Sequence, residues 1–415
     1  MAFLVASGIG ALGFTAGALA GAHRLWQASA VVATAGLASG IGAVPRLRGY
    51  QFTAWIVAAV TAAMIYPARF LHWGSFDLRE KWLLLLVIQA VMFGMGTRMS
   101  VADFGGVARA PRGVIVGVLS RFTVMPLAGL ALAKLFGFPA EVAAGIILLG
   151  SCSSGLSSNV MAYLAGANLA LSIAITAATT LVAPLMTPLF MKLLAGTLVE
   201  VSYIDMMAEI FKIVIVPIGA ALLHDYLKHA GLRGRRTVRW LAVASVAWFV
   251  YIAATGPHRG IIELPGFAAG TILAGIGYNW LCAKAPRVDR FMPAVSMAGI
   301  VYFTAVTTAA GRDRLLEVGG LLMLASVIHN TAGYVFGYWI SRGAGLDRNS
   351  ARSVAFEVGV QNGGMASGLA AAMGKLSTVG LAAAIFSPWM NVSGSILANY
   401  WGRRPAGSPS PGIDE

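Results

Sequence analysis

Charge is what this 415-residue chain has least of. Only 11% of its residues are Asp, Glu, Lys or Arg, against 58% hydrophobic. Soluble domains carry about a quarter charged residues, so a soluble globular protein is excluded and an integral membrane protein remains. Acids are rarer still, with 16 Asp and Glu against 30 Lys and Arg, a formal net charge of +14. In a soluble chain that excess would point to nucleic acid. Here the basic residues gather in short segments between apolar runs, which is the positive-inside pattern of a bilayer protein, and no nucleic-acid partner is expected. The two cysteines, Cys152 and Cys282, lie far apart in apolar segments. They form no disulfide framework and no metal-ligand spacing, and read as small buried apolar residues. The six histidines offer no zinc motif. Before the apolar stretch Met1 to Ala20 there is no Lys or Arg, which argues for a first transmembrane helix over a signal peptide.

What is present in quantity is apolar runs. They fall near residues 2–20, 27–44, 50–67, 82–98, 113–133, 140–164 and 169–194, then near 207–227, 238–256, 264–283, 291–310, 317–340, 353–373 and 376–399. Each is long enough to be read as a membrane helix, so about 14 transmembrane helices are expected. The two series have the same layout. Asn159 and Asn362 each sit in a sixth run, and the seventh runs carry similar patches, Ala183-Pro184-Leu185-Met186-Thr187 and Ser387-Pro388-Trp389-Met390-Asn391. Two halves with an odd number of spans insert in opposite senses, which makes an inverted repeat with a binding site at its interface. The expected organisation is residues 1–200 as the first repeat, 201–402 as the second, and 403–415, rich in Pro, Gly and Ser, as a disordered cytoplasmic tail. Alternating the spans places five basic segments, at residues 98–112, 228–239, 284–290, 342–352 and 403–404, on one side with both termini. That side is the cytoplasm, and a bacterial inner (plasma) membrane is the expected location. The segments 69–81 and 312–314 fall on the opposite side although they are basic.

Glu357 is the one acid well inside an apolar run, in Glu357-Val358-Gly359-Val360-Gln361-Asn362-Gly363-Gly364. A carboxylate at that depth is costly unless paired and is a functional-site hypothesis by default. Glycines loosen a helix and free its carbonyls. The bland alternative, a helix-end carboxylate that snorkels, fits poorly because Glu is short. The equivalent part of the first half is dense in small polar residues, Ser151-Cys152-Ser153-Ser154-Gly155-Leu156-Ser157-Ser158-Asn159. Small residues also serve close helix packing. On the next run Ser172 and Thr176 are four apart and share a helical face. Hydroxyl, amide and carboxylate oxygens suit a hard cation such as a sodium ion.

These residues resemble a known family. Glu357-Val-Gly-Val-Gln361-Asn362 and Ser157-Ser158-Asn159-Val-Met-Ala-Tyr-Leu-Ala-Gly-Ala-Asn168 are similar to the two signature segments of the bile acid:sodium symporter family. Met92-Phe-Gly-Met-Gly-Thr-Arg-Met-Ser-Val-Ala-Asp103-Phe104 resembles its second core helix with the loop after it, and Phe386 to Trp401 its last helix. The resemblance runs from about Lys81 to Trp401. It implies an inverted repeat of ten helices, in which a panel domain faces a core whose two broken helices cross beside two sodium ions. Carried over, one sodium site is Ser158, Asn159, Ser172, Thr176 and Glu357. A second uses Glu357, the carbonyls of Val358 and Val360, and Gln361. Its remaining family ligand is a glutamine, and this chain has Arg121 there. Arg121 either pairs with Glu357 as a tethered replacement for the second sodium, or faces the cavity and holds a carboxylate or sulfonate; a structural or snorkelling role is the bland reading.

Two further departures concern substrate. Leu156 replaces a threonine that lines the family's cavity, and Met390 replaces a histidine, so Leu156, Met390 and Asn362 are the expected substrate-binding positions in a more apolar cavity. The chain also exceeds ten helices by two spans in each half, near 27–67 and 238–283, which either widen the panel or form a homodimer contact. The expected protein is an all-α polytopic secondary transporter with crossed broken helices. It moves a small organic anion together with sodium across the lipid bilayer by alternating access. A proton-coupled or uncoupled organic-anion transporter is the nearest alternative, because a buried Glu tends to hold a proton. An intramembrane ligand sensor or channel is the alternative of another class. An enzyme is not expected, since no nucleophile–base constellation lies in the spans.

Overall fold

The computed structural model describes residues 2–44, 50–256 and 263–404. The expected disordered tail therefore lies outside the described residues from 405 onward. Apart from the short hairpin β1 (His72–Trp73) and β2 (Phe76–Asp77), the architecture is helical. The helices are α1 (Ala2–Leu19), α2 (His23–Gly40), α3 (Gln51–Ile65), α4 (Pro67–Leu71), α5 (Lys81–Gly96), α6 (Val101–Arg109), α7 (Pro111–Phe136), α8 (Ala140–Ser151), α9 (Ser157–Leu164) and α10 (Leu169–Phe190). They continue as α11 (Tyr203–Ile210), α12 (Val216–His229), α13 (Leu232–Thr255), α14 (Glu263–Lys284), α15 (Arg287–Ala310), α16 (Arg312–Gly343), α17 (Arg348–Gly359), α18 (Gly363–Ala372) and α19 (Leu381–Gly402). A π-helical turn, Phe211–Ile215, joins α11 to α12. Among the described residues nine helices are long and apolar enough to cross a membrane, and ten if α5 and the start of α6, bent by 71°, form one span. The protein is thus an all-α polytopic membrane protein.

Charged helix ends are where hydropathy misplaces boundaries. The basic stretch Arg233 to Arg239 is not a loop but the first turns of α13. Likewise Arg287 and Arg290 belong to α15, and Arg342 to α16. Arg is a good helix former and reaches outward from a helix end, so the helix continues where the apolar pattern stops. The segment after α5 is also helical: the Asp103 carboxylate accepts from the Ser100 backbone N–H at 2.7 Å, one half of a capping box that starts α6.

Burial divides the helices into two kinds. Helices α1 and α13 leave large apolar side chains such as Leu12, Leu19, Trp240 and Val250 exposed, as lipid-facing helices do. By contrast, Val142–Ser151 of α8 and Ser350–Gly359 of α17 are buried throughout. Both of these inner helices stop in mid-run. Cys152 and Val360 turn to extended backbone (ψ of 166° and 115°), and the chain restarts as α9 and α18 after a few residues. The cause is local. Gly and Ser are poor helix residues, and serine hydroxyls compete for backbone partners.

The two breaks cross and pair. Ser154 and Gln361 form an antiparallel bridge. The Gly155 N–H donates to the Val360 carbonyl at 3.3 Å, and the Asn362 N–H donates to the Ser153 carbonyl at 3.1 Å. This contact needs glycine: a Cβ on Gly155 would lie 2.6 Å from the Gln361 carbonyl oxygen. Gly155→Ala is therefore expected to spread the crossing and to cost about 1–3 kcal/mol. A thermal unfolding curve superimposable on that of the parent chain would contradict the pairing.

Candidate functional site

Three helices, α9, α10 and α17, position the polar centre. Glu357, in the last turn of α17, is fully buried. Its Oε1 accepts from Ser158 Oγ of α9 at 2.5 Å and from Ser172 Oγ of α10 at 2.7 Å. Its Oε2 accepts from Thr176 Oγ1, one turn further along α10, at 2.9 Å. The Asn159 side-chain oxygen closes the cluster, accepting from Ser172 at 2.8 Å and from Thr176 at 3.3 Å. All five residues expected at one cation site are thus within one hydrogen-bonded group. The spacing explains the geometry: Ser172 and Thr176 share a helical face, and Ser158 and Asn159 open the first turn of α9 beside them. Six side-chain oxygens converge here with no nitrogen or sulfur donor in the hydrogen-bonded group, which suits a hard cation.

Beside this group the crossing exposes carbonyls that no helix satisfies, and Arg121 takes them. It is fully buried on α7. Its Nε and one terminal nitrogen donate to the Cys152 carbonyl at 3.1 and 2.7 Å, and that same nitrogen donates to the Ser153 carbonyl at 3.1 Å. Its other terminal nitrogen donates to the Val358 carbonyl at 2.9 Å. Gln361 Nε2 donates to the Val358 and Gly359 carbonyls, both at 3.0 Å, and Asn330 of α16 adds a bond to Gly359 at 2.9 Å. Ser154 Oγ donates to the Glu357 carbonyl at 2.8 Å. The Val360 carbonyl is engaged by Gly155, so the carbonyls expected around a second cation meet a guanidinium and an N–H instead. Arg121 makes no ion pair with the Glu357 carboxylate within 4.0 Å.

A cavity of about 550 Å³ adjoins the cluster, walled by α5, α9, α10 and α15. Asn159 and Thr176 face it as well as the cluster, and Leu156 lines it. Asn362 and Met390 do not. Asn362 caps α18, accepting from the Met365 N–H at 3.0 Å, and the Met390 sulfur accepts from the Gln361 N–H at 3.2 Å. Arg121 also lies outside the cavity wall. The charged residue in that wall is Arg98, at the turn after α5, with Met95, Tyr163, Ser296 and Met297 around it. In the sequence it stands with Arg109 and Arg112 in the basic segment 98–112, where it reads as a loop charge of the positive-inside pattern.

Fold and site together define a multi-pass membrane protein with a buried oxygen cluster at the crossing of two broken helices, next to a cavity. The comparisons with known proteins agree. The profile of the Sodium Bile acid symporter family matches residues 84–264. An uncharacterized sodium-dependent transporter of Bacillus subtilis (strain 168) is 31% identical over 375 residues, 89% of this chain and 98% of the relative. A chloroplastic protein of Oryza sativa subsp. japonica, named as a probable sodium/metabolite cotransporter, is 27% identical over 85% of this chain and 73% of its own length. The ileal sodium/bile acid cotransporter of Cricetulus griseus is 26% identical over 67% of this chain and 66% of its own length. The chain belongs to the sodium bile acid symporter family.

Proposed function

We propose that this protein is a sodium-coupled symporter of an amphipathic organic anion. One observation carries the reading. A fully buried carboxylate, Glu357, is met by three hydroxyls that come from the other half of the chain and has no ion-pair partner within 4.0 Å among the described residues. A buried anion without a counter-ion is unstable in a low-dielectric interior, and sodium at Ser158, Asn159, Ser172, Thr176 and Glu357 supplies the missing charge. The relatives named as sodium-dependent or sodium-coupled support that choice of ion.

The second cation position, with Val358, Val360 and Gln361, is filled by the guanidinium of Arg121, so one sodium moves per cycle. Substrate binds in the cavity, its apolar body against Met95, Leu156 and Met297 and its carboxylate or sulfonate on Arg98. The start of α9, whose dipole end is positive, faces the same space through Leu156 and Ser157. Asn159 and Thr176 border both sites, which gives ion and substrate a shared wall and a physical route to coupling.

The nine long helices, together with α3, α5, the broken α8–α9 and α17–α18, and α14, bring the membrane crossings to fourteen in two inverted halves. With the basic ends of α13, α15 and α16 in the cytoplasm, the Arg98 cavity opens inward. The core then moves against the surrounding helices to alternate access.

The test is a thermal-shift screen of small organic acids on the purified protein, in sodium and in potassium salt. Sodium alone should raise the midpoint, and an acid should add to it only in sodium. Stabilisation by an acid that is equal in both salts, with uptake driven by a pH gradient, would mean proton coupling instead. Arg98→Ala should weaken the selected acid by about 10- to 100-fold, the worth of one charge-assisted hydrogen bond, while leaving the sodium-only shift intact. A loss of the sodium shift in Arg98→Ala would put Arg98 in the ion site rather than the cavity.

A further inference from the structure

A second cluster of metal-ligating side chains lies where the last turns of α12 and α14 meet the start of α15. It uses none of the residues above. His224 of α12, Cys282 of α14 and Asp289 of α15 bring one ligand atom each to within 4.8 Å of one another. They stand at positions 224, 282 and 289, which is why no ligand spacing is visible in the sequence. Packing of three helices assembles them.

His224 is 2% exposed, and its Nε2 has no hydrogen-bond partner among the described residues. That nitrogen lies 3.8 Å from Asp289 Oδ1. The other ring nitrogen, Nδ1, is 3.1 Å from the Asn279 side-chain oxygen. An amide oxygen only accepts, so the proton sits on Nδ1 and the Nε2 lone pair points into the cluster. A buried imidazole whose far nitrogen is fixed by an outer partner while its near nitrogen is bare is how a metal-ligating histidine is held. Asp289 is likewise oriented from outside: Lys228 holds its Oδ2 at 2.8 Å, and the Tyr278 hydroxyl donates to Oδ1 at 3.2 Å. A cavity of about 390 Å³ opens beside His224 and Cys282 and leaves room for a fourth ligand. The remaining cation in that wall, Arg235, is turned away to the Ala230 and Leu227 carbonyls at 3.1 and 3.5 Å.

We infer that His224, Cys282 and Asp289 form a site for a borderline divalent transition metal of the zinc class, with a fourth position open to water or a ligand. Imidazole, thiolate and carboxylate together select such an ion over sodium, magnesium or calcium, which prefer oxygen alone. A thiolate and a carboxylate balance its two charges, which is why Lys228 can stay on the outer carboxylate oxygen. The ion would fasten the ends of α12, α14 and α15 to one another, and would do so independently of the Glu357 cluster.

Cobalt is the informative probe, because a thiolate ligand gives a sulfur-to-cobalt charge-transfer band in the near ultraviolet. Tag-free full-length protein, stripped with chelator, should bind one Co²⁺ with that band, and Zn²⁺ should bleach it. Zn²⁺ should also raise the unfolding midpoint by a few degrees. Cys282→Ser should abolish the band and the zinc shift but keep the sodium shift. Cys152→Ser should keep the band, since Cys152 is buried at the helix crossing. If Cys282→Ser proves too unstable to purify, His224→Gln should displace the band and weaken cobalt by at least about tenfold. A parent chain without the band, or a band that survives Cys282→Ser, overturns the site.

Discussion

Glu357→Gln is expected to abolish sodium-dependent stabilisation and transport while the fold remains. The exchange keeps the side chain's size and leaves an amide oxygen for the hydroxyls of Ser158 and Ser172. Thr176 keeps a partner as well, because the Asn159 oxygen also accepts from it. The loss of structure in sodium-free buffer should therefore stay within about 1–2 kcal/mol, the worth of a weakened buried hydrogen bond. Sodium loses far more. Two unit charges about 4 Å apart at an effective dielectric near 20 interact by about 4 kcal/mol, which is roughly a thousandfold in affinity. The midpoint of the substituted protein should stop responding to sodium at concentrations that saturate the parent, and uptake should fall by on the order of 100-fold or more. Glu357→Ala should do the same to sodium and cost more structure, since three hydroxyls lose an acceptor. A full sodium shift in either variant would mean that the ion sits elsewhere, and the central assignment would fail.

The Glu357 cluster was legible in the sequence for two reasons. A carboxylate in an apolar run is rare enough to be noticed, and Ser172 with Thr176 obeys helical spacing, so one face of one helix could be inferred without knowing the fold. The resemblance to the family then joined the two halves. The backbone was harder to read. Nothing in Cys152-Ser153-Ser154-Gly155 says that its carbonyls would share one guanidinium with that of Val358, because that depends on where two breaks cross. Arg98 and the trio His224, Cys282 and Asp289 were hidden for the same reason: each residue alone is ordinary, and only helix packing brings it to a cavity or to its partners. Met390 and Asn362 show the converse. Asn362 stands in a signature segment and Met390 in place of a family histidine, and both suggested contact with substrate, yet the packing under the crossing turns Met390 to the Gln361 backbone and makes Asn362 a helix cap.

Arg121 is the residue on which sequence and geometry had to be combined. The sequence left it as a cation paired with Glu357, a substrate ligand or a structural residue; the four hydrogen bonds to Cys152, Ser153 and Val358 replace the expected Glu357 pair and favour a cation tethered to the carbonyls of the crossing over a substrate ligand. Two substitutions separate the possibilities. Arg121→Met removes the donors and leaves the buried Cys152 carbonyl without them, at a cost of about 1–3 kcal/mol, while the Ser153 and Val358 carbonyls keep the Asn362 N–H and Gln361 Nε2 but lose a charge-assisted bond each. Its unfolding midpoint should fall sharply, or the protein should fail to accumulate. Arg121→Gln restores the family's residue beside the Val358 carbonyl and Gln361, whose Oε1 has no hydrogen-bond partner among the described residues. A second sodium then has an oxygen-lined place that the guanidinium otherwise fills. The sodium Hill coefficient of uptake should rise from about one towards two, and stability should depend more steeply on sodium than in the parent. Were Arg121 instead a substrate ligand, Arg121→Gln would weaken the organic acid and leave the sodium dependence unchanged. A Hill coefficient near two with Arg121 intact would rule out the tethered cation directly, because that position cannot hold a guanidinium and an ion at once.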